Sequence, residues 1–318
     1  MERPAACWEG QDRYGNEILP SLTIILKTSG CRHDRCRMCS YRHERYPGGE
    51  ELVIDQLRWV QEHHDLPKAV MVKVYTSGSF FDPCEVPAGA ARYAAELFTG
   101  KLVVAETRPE YVETGLLEEF ISRIDTGVFK TPLTVAIGLE TVTDIIREKS
   151  IDKGFSWDDF LHATKKARTA GAGVKAYLLQ KPLFLTETEA NDDMERSIRA
   201  LEGIADAVSM NPCTVQKNTE LEYYWQRGAY RPPYLWSVLS VLLSSPYPVT
   251  CDPVGGGRSR GPHNCGECDR GIVEAIRSYS LTADKSLLSE VFEKECACRE
   301  EWEFVLDHER SWSLPLTR

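Results

Sequence analysis

The chain has 318 residues, 42% of them apolar and 27% charged, with a formal net charge of -10 at pH 7. That length holds one large domain or a large domain plus a small one, and the balance excludes wholesale disorder. The negative charge favours solubility and does not advertise nucleic-acid binding, although such binding follows local charge rather than the total.

The opening MERPAACWEG is too polar for an export signal, and every apolar run is too short to cross a bilayer. No membrane partner is expected, and the cytoplasm is the default address. Eleven cysteines, an odd number and clustered, point in a reducing compartment to metal rather than to disulfides.

After an N-terminal extension of residues 1–19, apolar β-branched runs recur at 22–27, 69–75, 101–106, 133–140 and 173–180, with a weaker one at 204–212. Helix-compatible stretches lie between them at 51–65, 87–99, 110–124 and 156–171. The last opens with Ser156 and Asp159, close to a capping box. Continuous apolar runs suit buried parallel strands, and their alternation with helices implies an α/β fold. Six units over residues 20–217 predict a partial (βα)6, TIM-like barrel, with an open doubly wound sheet sharing the same periodicity. Residues 218–318 change texture. The segment 223–236 is aromatic and proline-rich, 253–269 is glycine-rich, and two helix-like runs follow, so a smaller cysteine-rich module is expected there.

Directly after the first run come Cys31, Cys36 and Cys39, with four and then two residues between them. Three soft thiolates can hold three irons of a four-iron cluster and leave the fourth open to a substrate or cofactor. The rival is a structural zinc closed by a distant cysteine or His33. Position at the mouth of the first strand favours the open cluster, because α/β folds bind ligands beyond the carboxyl ends of their strands.

Thr76, Ser77, Gly78 and Ser79 follow the second run, where small side chains permit close backbone approach, as an ordinary strand-to-helix turn also requires. Asp82 in the same loop would orient substrate or cap the next helix. Glu106 and Arg108 alternate after the third run, suited to an amine and a carboxylate or to pairing with each other. Glu140 ends the fourth run, Gln180 and Lys181 end the fifth, and Asn211 and Gln216 lie near the sixth. Cys84 and Cys213 are read as packing residues, Cys7 as a disordered thiol, and Cys251 as core or a reserve ligand.

GCRHDRCRMCSY, YTSGSFFDPCEVP, ETRPEYV, GLET, KGF and GPHNCGECD occur in this order. Together they resemble the radical S-adenosylmethionine enzymes and, within them, the archaeosine-biosynthesis group of archaea. The four-residue first spacing departs from the generic motif and fits this narrower group, and Met38 stands where an aromatic is common. The resemblance implies a radical enzyme barrel with a [4Fe-4S] cluster on Cys31, Cys36 and Cys39 and S-adenosylmethionine at its open iron. It implies further that residues 76–79 face the methionine amine of that cofactor.

For enzymes similar to this chain, the substrate is transfer RNA carrying at position 15 a 7-cyano-7-deazaguanine joined to lysine. A 5'-deoxyadenosyl radical would take a hydrogen from the lysine carbon next to the new nitrogen, and carbon–nitrogen cleavage would leave archaeosine. The implied partners are the lysine-adding archaeosine synthase, a transglycosylase paralogue, and an electron donor. Rival readings are a radical enzyme of methylthio or acyl transfer, and a non-enzymatic zinc-stapled RNA-binding protein. The methylthio type generally carries an added cluster domain, and no second set of three cysteines precedes Cys31.

Late in the chain, Cys265 and Cys268 form a Cys-x-x-Cys knuckle, and Cys296 and Cys298 complete a set of four. Two such pairs fit a closed tetrahedral zinc site, with His263 as rival ligand and a second iron–sulfur cluster as rival occupant. For RNA, the candidate cations are Lys165, Lys166, Arg168, Arg258 and Arg260, with Arg227 and Arg231 among the aromatics of 223–236. Those aromatics would equally serve to pack the small module.

Overall fold

Every apolar run singled out above becomes a strand. The computed structural model describes residues 2–310. In chain order its elements include β1 (Ala6–Tyr14), β2 (Glu17–Ile25), α1 (Gly49–His63), β3 (Met71–Tyr75), α2 (Ala88–Leu97), β4 (Leu102–Thr107), α3 (Thr114–Ile124) and β5 (Leu133–Glu140). Then come α4 (Asp144–Ile146), α5 (Trp157–Thr169), β6 (Gly173–Gln180), α6 (Glu187–Ala200), β7 (Ala207–Pro212), α7 (Glu220–Gln226) and α8 (Leu235–Ser244). The described chain closes with β8 (Thr250–Cys251), α9 (Asp269–Thr282), α10 (Ser286–Phe292) and α11 (Cys298–His308).

The eight strands neighbour one another in chain order within one mixed sheet. The strand–helix alternation from β2 to β7 bears out the α/β class and the partial TIM-like barrel. No described helix is long and apolar enough to cross a membrane.

The chain packs as two compact units, the first containing residues up to 34, 41–138 and 158–175, the second residues 35–40, 139–157 and 176 onward. In the first unit β1 runs antiparallel to β2, and β2 to β5 pair in parallel. Strand β1 is polar and was not visible as a hydrophobic run; Asp12 on it accepts the Ser21 hydroxyl and pairs with Lys73, both at 2.6 Å. Cys7 therefore sits in a strand rather than in a disordered segment, and burial pushes its thiol up to about 11. Helix α2 buries Ala90, Ala91, Ala94 and Ala95, a small-residue stripe at helical spacing. Phe80, Phe81 and Phe120 meet edge to face, with centroids 5.2–5.7 Å apart.

In the second unit β7 and β8 pair in parallel. Helix α6 starts with a capping box in which Thr186 and Glu189 satisfy each other's backbone N–H groups. Helix α8 is apolar on nearly every face and buries Leu235 to Leu239 together with Val241 and Leu242, so it is a core helix. The second helix-like run of the sequence is two helices, α10 and α11, parted by the segment that carries Cys296.

Candidate functional site

In the first unit the loop after β2 is tied to the loop after β3 by one carboxylate. Glu85, 2% exposed, accepts the Thr28 hydroxyl at 2.6 Å and the Ser79 N–H at 2.5 Å. Burial holds its carboxyl above the ordinary range, outweighing those two bonds. Gly78 is forced by proximity: a Cβ there would lie 2.6 Å from Cys31 Cα, which is backbone and cannot swing aside. Arg45 donates to the Cys31 carbonyl at 3.4 Å and is ion-paired with Asp34.

Asp82, 1% exposed, accepts the Cys84 N–H at 2.9 Å and the Arg32 Nε–H at 2.7 Å. It therefore braces the cysteine loop and does not cap α2, whose N-cap is Pro87. Cys84 is exposed and so is not the packing residue expected. At the end of β4, Ser79 Oγ accepts the Arg108 N–H at 3.1 Å, while the Arg108 guanidinium is held by Glu110 at 2.5 Å. The Glu106 carbonyl accepts the Phe80 N–H at 2.8 Å. Gly78 N–H is spent on Thr76 Oγ1 at 3.2 Å, and Ser77 Oγ donates to the Glu44 carbonyl at 3.3 Å. The carbonyls of Ser77 and Gly78 accept no hydrogen bond from the described residues, which suits an ammonium donor.

Cys36 and Cys39 belong to the second unit, where the Cys39 N–H donates to the Cys36 carbonyl at 3.2 Å. Arg37 between them donates its N–H to Ile151 O at 2.9 Å and pairs with Glu220 at 2.5 Å. Gln216 Oε1 accepts the Ser40 N–H at 2.7 Å, so this residue supports the cysteine loop. Met38 packs on Leu183, Phe184, Cys213, Val215, Leu221 and Tyr230, which accounts for an apolar residue before the third cysteine. Cys213 is fully buried, and its thiol is pushed up to about 12 by burial, as a packing residue should be.

The strand ends of this unit hold the other candidates. Glu140 (φ 69°) and Lys181 (φ 57°) adopt left-handed backbone that non-glycine residues rarely accept. Glu140 pairs with Lys153 at 2.6 Å, and Lys181 with the fully buried Glu187 at 2.7 Å. Gln180 is 0% exposed; its Nε2 donates to Asn191 at 3.0 Å, and among the described residues its Oε1 has no partner. A buried acceptor without a donor at a strand end fits a ligand that brings a hydroxyl or an amine. By type, soft thiols such as Cys31, Cys36 and Cys39 suit an iron–sulfur cluster, and open backbone carbonyls such as those of Ser77 and Gly78 suit the amine of S-adenosylmethionine.

The late cysteines do come together. Their Sγ atoms all lie within 4.8 Å of one another. Four of the separations are 3.9 Å (Cys265–Cys268), 3.6 Å (Cys265–Cys296), 3.6 Å (Cys268–Cys298) and 3.4 Å (Cys296–Cys298). Tetrahedral thiolates around one zinc stand about 3.8 Å apart, given Zn–S bonds of about 2.3 Å. A four-iron cluster gives each thiolate its own iron and spreads the sulfurs further. Asn264 Nδ2 donates to Cys268 Sγ and Trp236 Nε1 to Cys298 Sγ, each at 3.3 Å, as outer-shell donors to thiolates do. His263, the rival ligand, lies outside the set with Nδ1 2.8 Å from the Gly261 carbonyl, and Cys251 is buried on β8.

The basic residues are mostly engaged. Lys166 pairs with Glu113 at 2.8 Å, Arg260 with Glu222, and Arg231 donates to the Pro232 and His263 carbonyls at 2.9 and 2.7 Å. Tyr230, Tyr234 and Trp236 are buried, so much of the aromatic segment is packing. Tyr223 is 51% exposed, with the Arg227 guanidinium 3.5 Å from its ring centroid.

No protein-family model matches the chain. An archaeosine synthase subunit beta of Methanosarcina acetivorans is 38% identical over 96% of this chain and 90% of its own length. A second, of Thermococcus kodakarensis, is 34% identical over 95% of this chain and 96% of its own. An uncharacterized protein of Methanocaldococcus jannaschii is 35% identical over 99% and 90%. Among solved structures, an archaeal Elp3 of Methanocaldococcus infernus aligns at 14% identity over 72% of this chain and 57% of that one, with a TM-score of 0.49. Identity of 34–38% over nearly the whole of both chains places this chain in the archaeosine synthase subunit beta family.

Proposed function

We propose that this chain is a radical S-adenosylmethionine lyase acting on transfer RNA, and that it cleaves a carbon–nitrogen bond in lysine-conjugated 7-cyano-7-deazaguanine at position 15 to leave archaeosine. The observation that carries this reading is the full-length similarity to two archaeosine synthase beta subunits. The cluster and S-adenosylmethionine, when bound, supply a 5'-deoxyadenosyl radical able to remove a carbon-bound hydrogen.

The chain's own share is to hold, orient and exclude water. Cys31, Cys36 and Cys39 are the cluster ligands. Thr76, Ser77, Gly78 and Ser79 form the turn that would receive the cofactor's amine, on the open carbonyls of Ser77 and Gly78. Glu106 and Arg108 serve its amine and carboxylate, with Glu110 moderating the arginine's charge. Glu140, Gln180 and Lys181 meet ribose or substrate, and Asp82 acts by bracing Arg32 beside the cluster loop. Cys265, Cys268, Cys296 and Cys298 hold zinc in the C-terminal module, residues 218–318, while residues 20–217 form the catalytic barrel. Position 15 lies in the folded core of transfer RNA, so its base must be displaced, at about a few kcal/mol repaid by contacts elsewhere. An acidic chain would share phosphate contacts with its partner, the lysine-adding synthase.

The test is anaerobic reconstitution with iron, sulfide, S-adenosylmethionine and reductant, with and without lysine-modified transfer RNA. Deoxyadenosine with archaeosine formed only from modified RNA is the expected result. Deoxyadenosine without archaeosine would overturn the substrate, and a chain that accepts no cluster would overturn the enzyme reading.

A further inference from the structure

The zinc reading leaves open why the fold gathers four cysteines far along the chain from the three-cysteine loop. Helix α11 begins at one ligand, Cys298, and ends beside Glu309. Its only buried residues are Cys298 and Trp302, so it has one apolar anchor besides the ligand itself. An eleven-residue helix so thinly anchored is marginal on propensity alone. Its far end nonetheless makes specific polar contacts with the residues after β6. Glu309 Oε2 accepts the Glu187 N–H at 2.6 Å, Glu309 Oε1 lies 3.9 Å from Lys181 Nζ, and the Leu306 carbonyl accepts the Thr188 hydroxyl at 2.6 Å. Glu187 is the buried partner of Lys181 and also accepts the Tyr234 N–H at 2.7 Å.

We infer that the four-cysteine metal site is a clamp for the end of β6: by fixing the start of α11 it holds Glu309 on the Glu187 N–H, and with it the buried Lys181–Glu187 pair. This rests on the zinc reading above. The connection is continuous along one helix. Cys298 is tied to core helix α8 by the Trp236 N–H at 3.3 Å, Trp302 Nε1 donates to Ser237 Oγ at 2.8 Å, and Glu301 accepts the Tyr234 hydroxyl at 2.9 Å. Metal ligation thus replaces the apolar burial that α11 lacks. Glu309 is a positioning residue, acting through Glu187 on Lys181.

The experiment uses the full chain and reads three quantities: bound zinc by elemental analysis, the visible spectrum after cobalt(II) replacement, and hydrogen exchange of the Glu187 amide. The intact chain should hold about one zinc at the four thiolates. Its cobalt form should show the intense bands of tetrahedral thiolate ligation. Removing the metal with a chelator should speed exchange at Glu187 at least about tenfold while the β2 to β5 amides stay protected. Glu309→Ala should give the same local loss with the zinc and the cobalt spectrum intact, and Glu309→Gln, which keeps an acceptor oxygen, should restore protection. Absence of zinc, or of the cobalt bands, would overturn the metal reading and the clamp with it. Zinc present, with Glu187 exchange unchanged by both chelation and Glu309→Ala, would overturn the clamp alone. Because the glutamate variants leave every cysteine in place, misfolding of a ligand variant cannot blur the result.

Discussion

The two cysteine clusters use the same side chain to opposite ends. The late set brings four thiols within 4.8 Å of one another, with N–H donors on two of them, so a metal there needs nothing from outside the chain. The early set has three cysteines on a nine-residue stretch, and the contacts around it fix its loop. Gly78, Glu85 and Asp82 set the Cys31 side, while Gln216, Glu220 and the Met38 plug set the Cys36 and Cys39 side. A closed set of four protein donors suits a structural metal, whereas a set that leaves a position to a ligand suits chemistry.

The largest expected effect separates the clusters outright. Cys36→Ala should reduce deoxyadenosine formation to background while leaving zinc at about one per chain. Cys298→Ala should do the reverse, losing zinc while the chain still takes up the brown cluster on reconstitution. Loss of both metals in either variant would show the two clusters to be one system.

Gly78→Ala comes next. The added methyl meets Cys31 backbone at 2.6 Å, so the cysteine loop must shift. The cost should be about 1–3 kcal/mol in a urea titration, with weakened cluster uptake and unchanged zinc. A variant as stable as the parent would show that the loops have room to part.

The smallest effect is a pH dependence at Glu85. Gln has one acceptor oxygen where Glu85 serves both Thr28 and Ser79, so Glu85→Gln should cost about 1–3 kcal/mol at low pH. The folded carboxyl titrates above the ordinary carboxylate value, so folding favours its neutral form. The resulting penalty is absent below the unfolded value, grows as pH rises through the interval between the two, and is complete above the raised one. Parent stability relative to Glu85→Gln should therefore fall across that interval. A difference that stays flat or rises with pH would mean that the carboxylate is well solvated or fully satisfied by its donors.

The barrel strands were legible because buried parallel strands leave continuous apolar runs, and β2 to β7 all overlap the runs read from the chain. Strand β1 was not, since a polar strand leaves no such run; the Gly15–Asn16 pair between β1 and β2, with Gly15 at φ 59°, was the hairpin signal available. Glu85 carried no signal at all, because one acidic residue after a proline turn looks like any solvated charge until burial and two donors single it out.

Residue type and spacing by themselves determined the fold class and the two cysteine sets, since thiol chemistry and strand hydropathy are local properties written in order along the chain, while the family came from the resemblance of whole motifs. Only the tertiary structure decided that Cys265, Cys268, Cys296 and Cys298 converge without His263, that Cys84 is exposed, and that Arg108 is held by Glu110 and Lys181 by Glu187. Those outcomes depend on which groups lose water together, and desolvation is a property of the packed chain that no stretch of sequence carries alone.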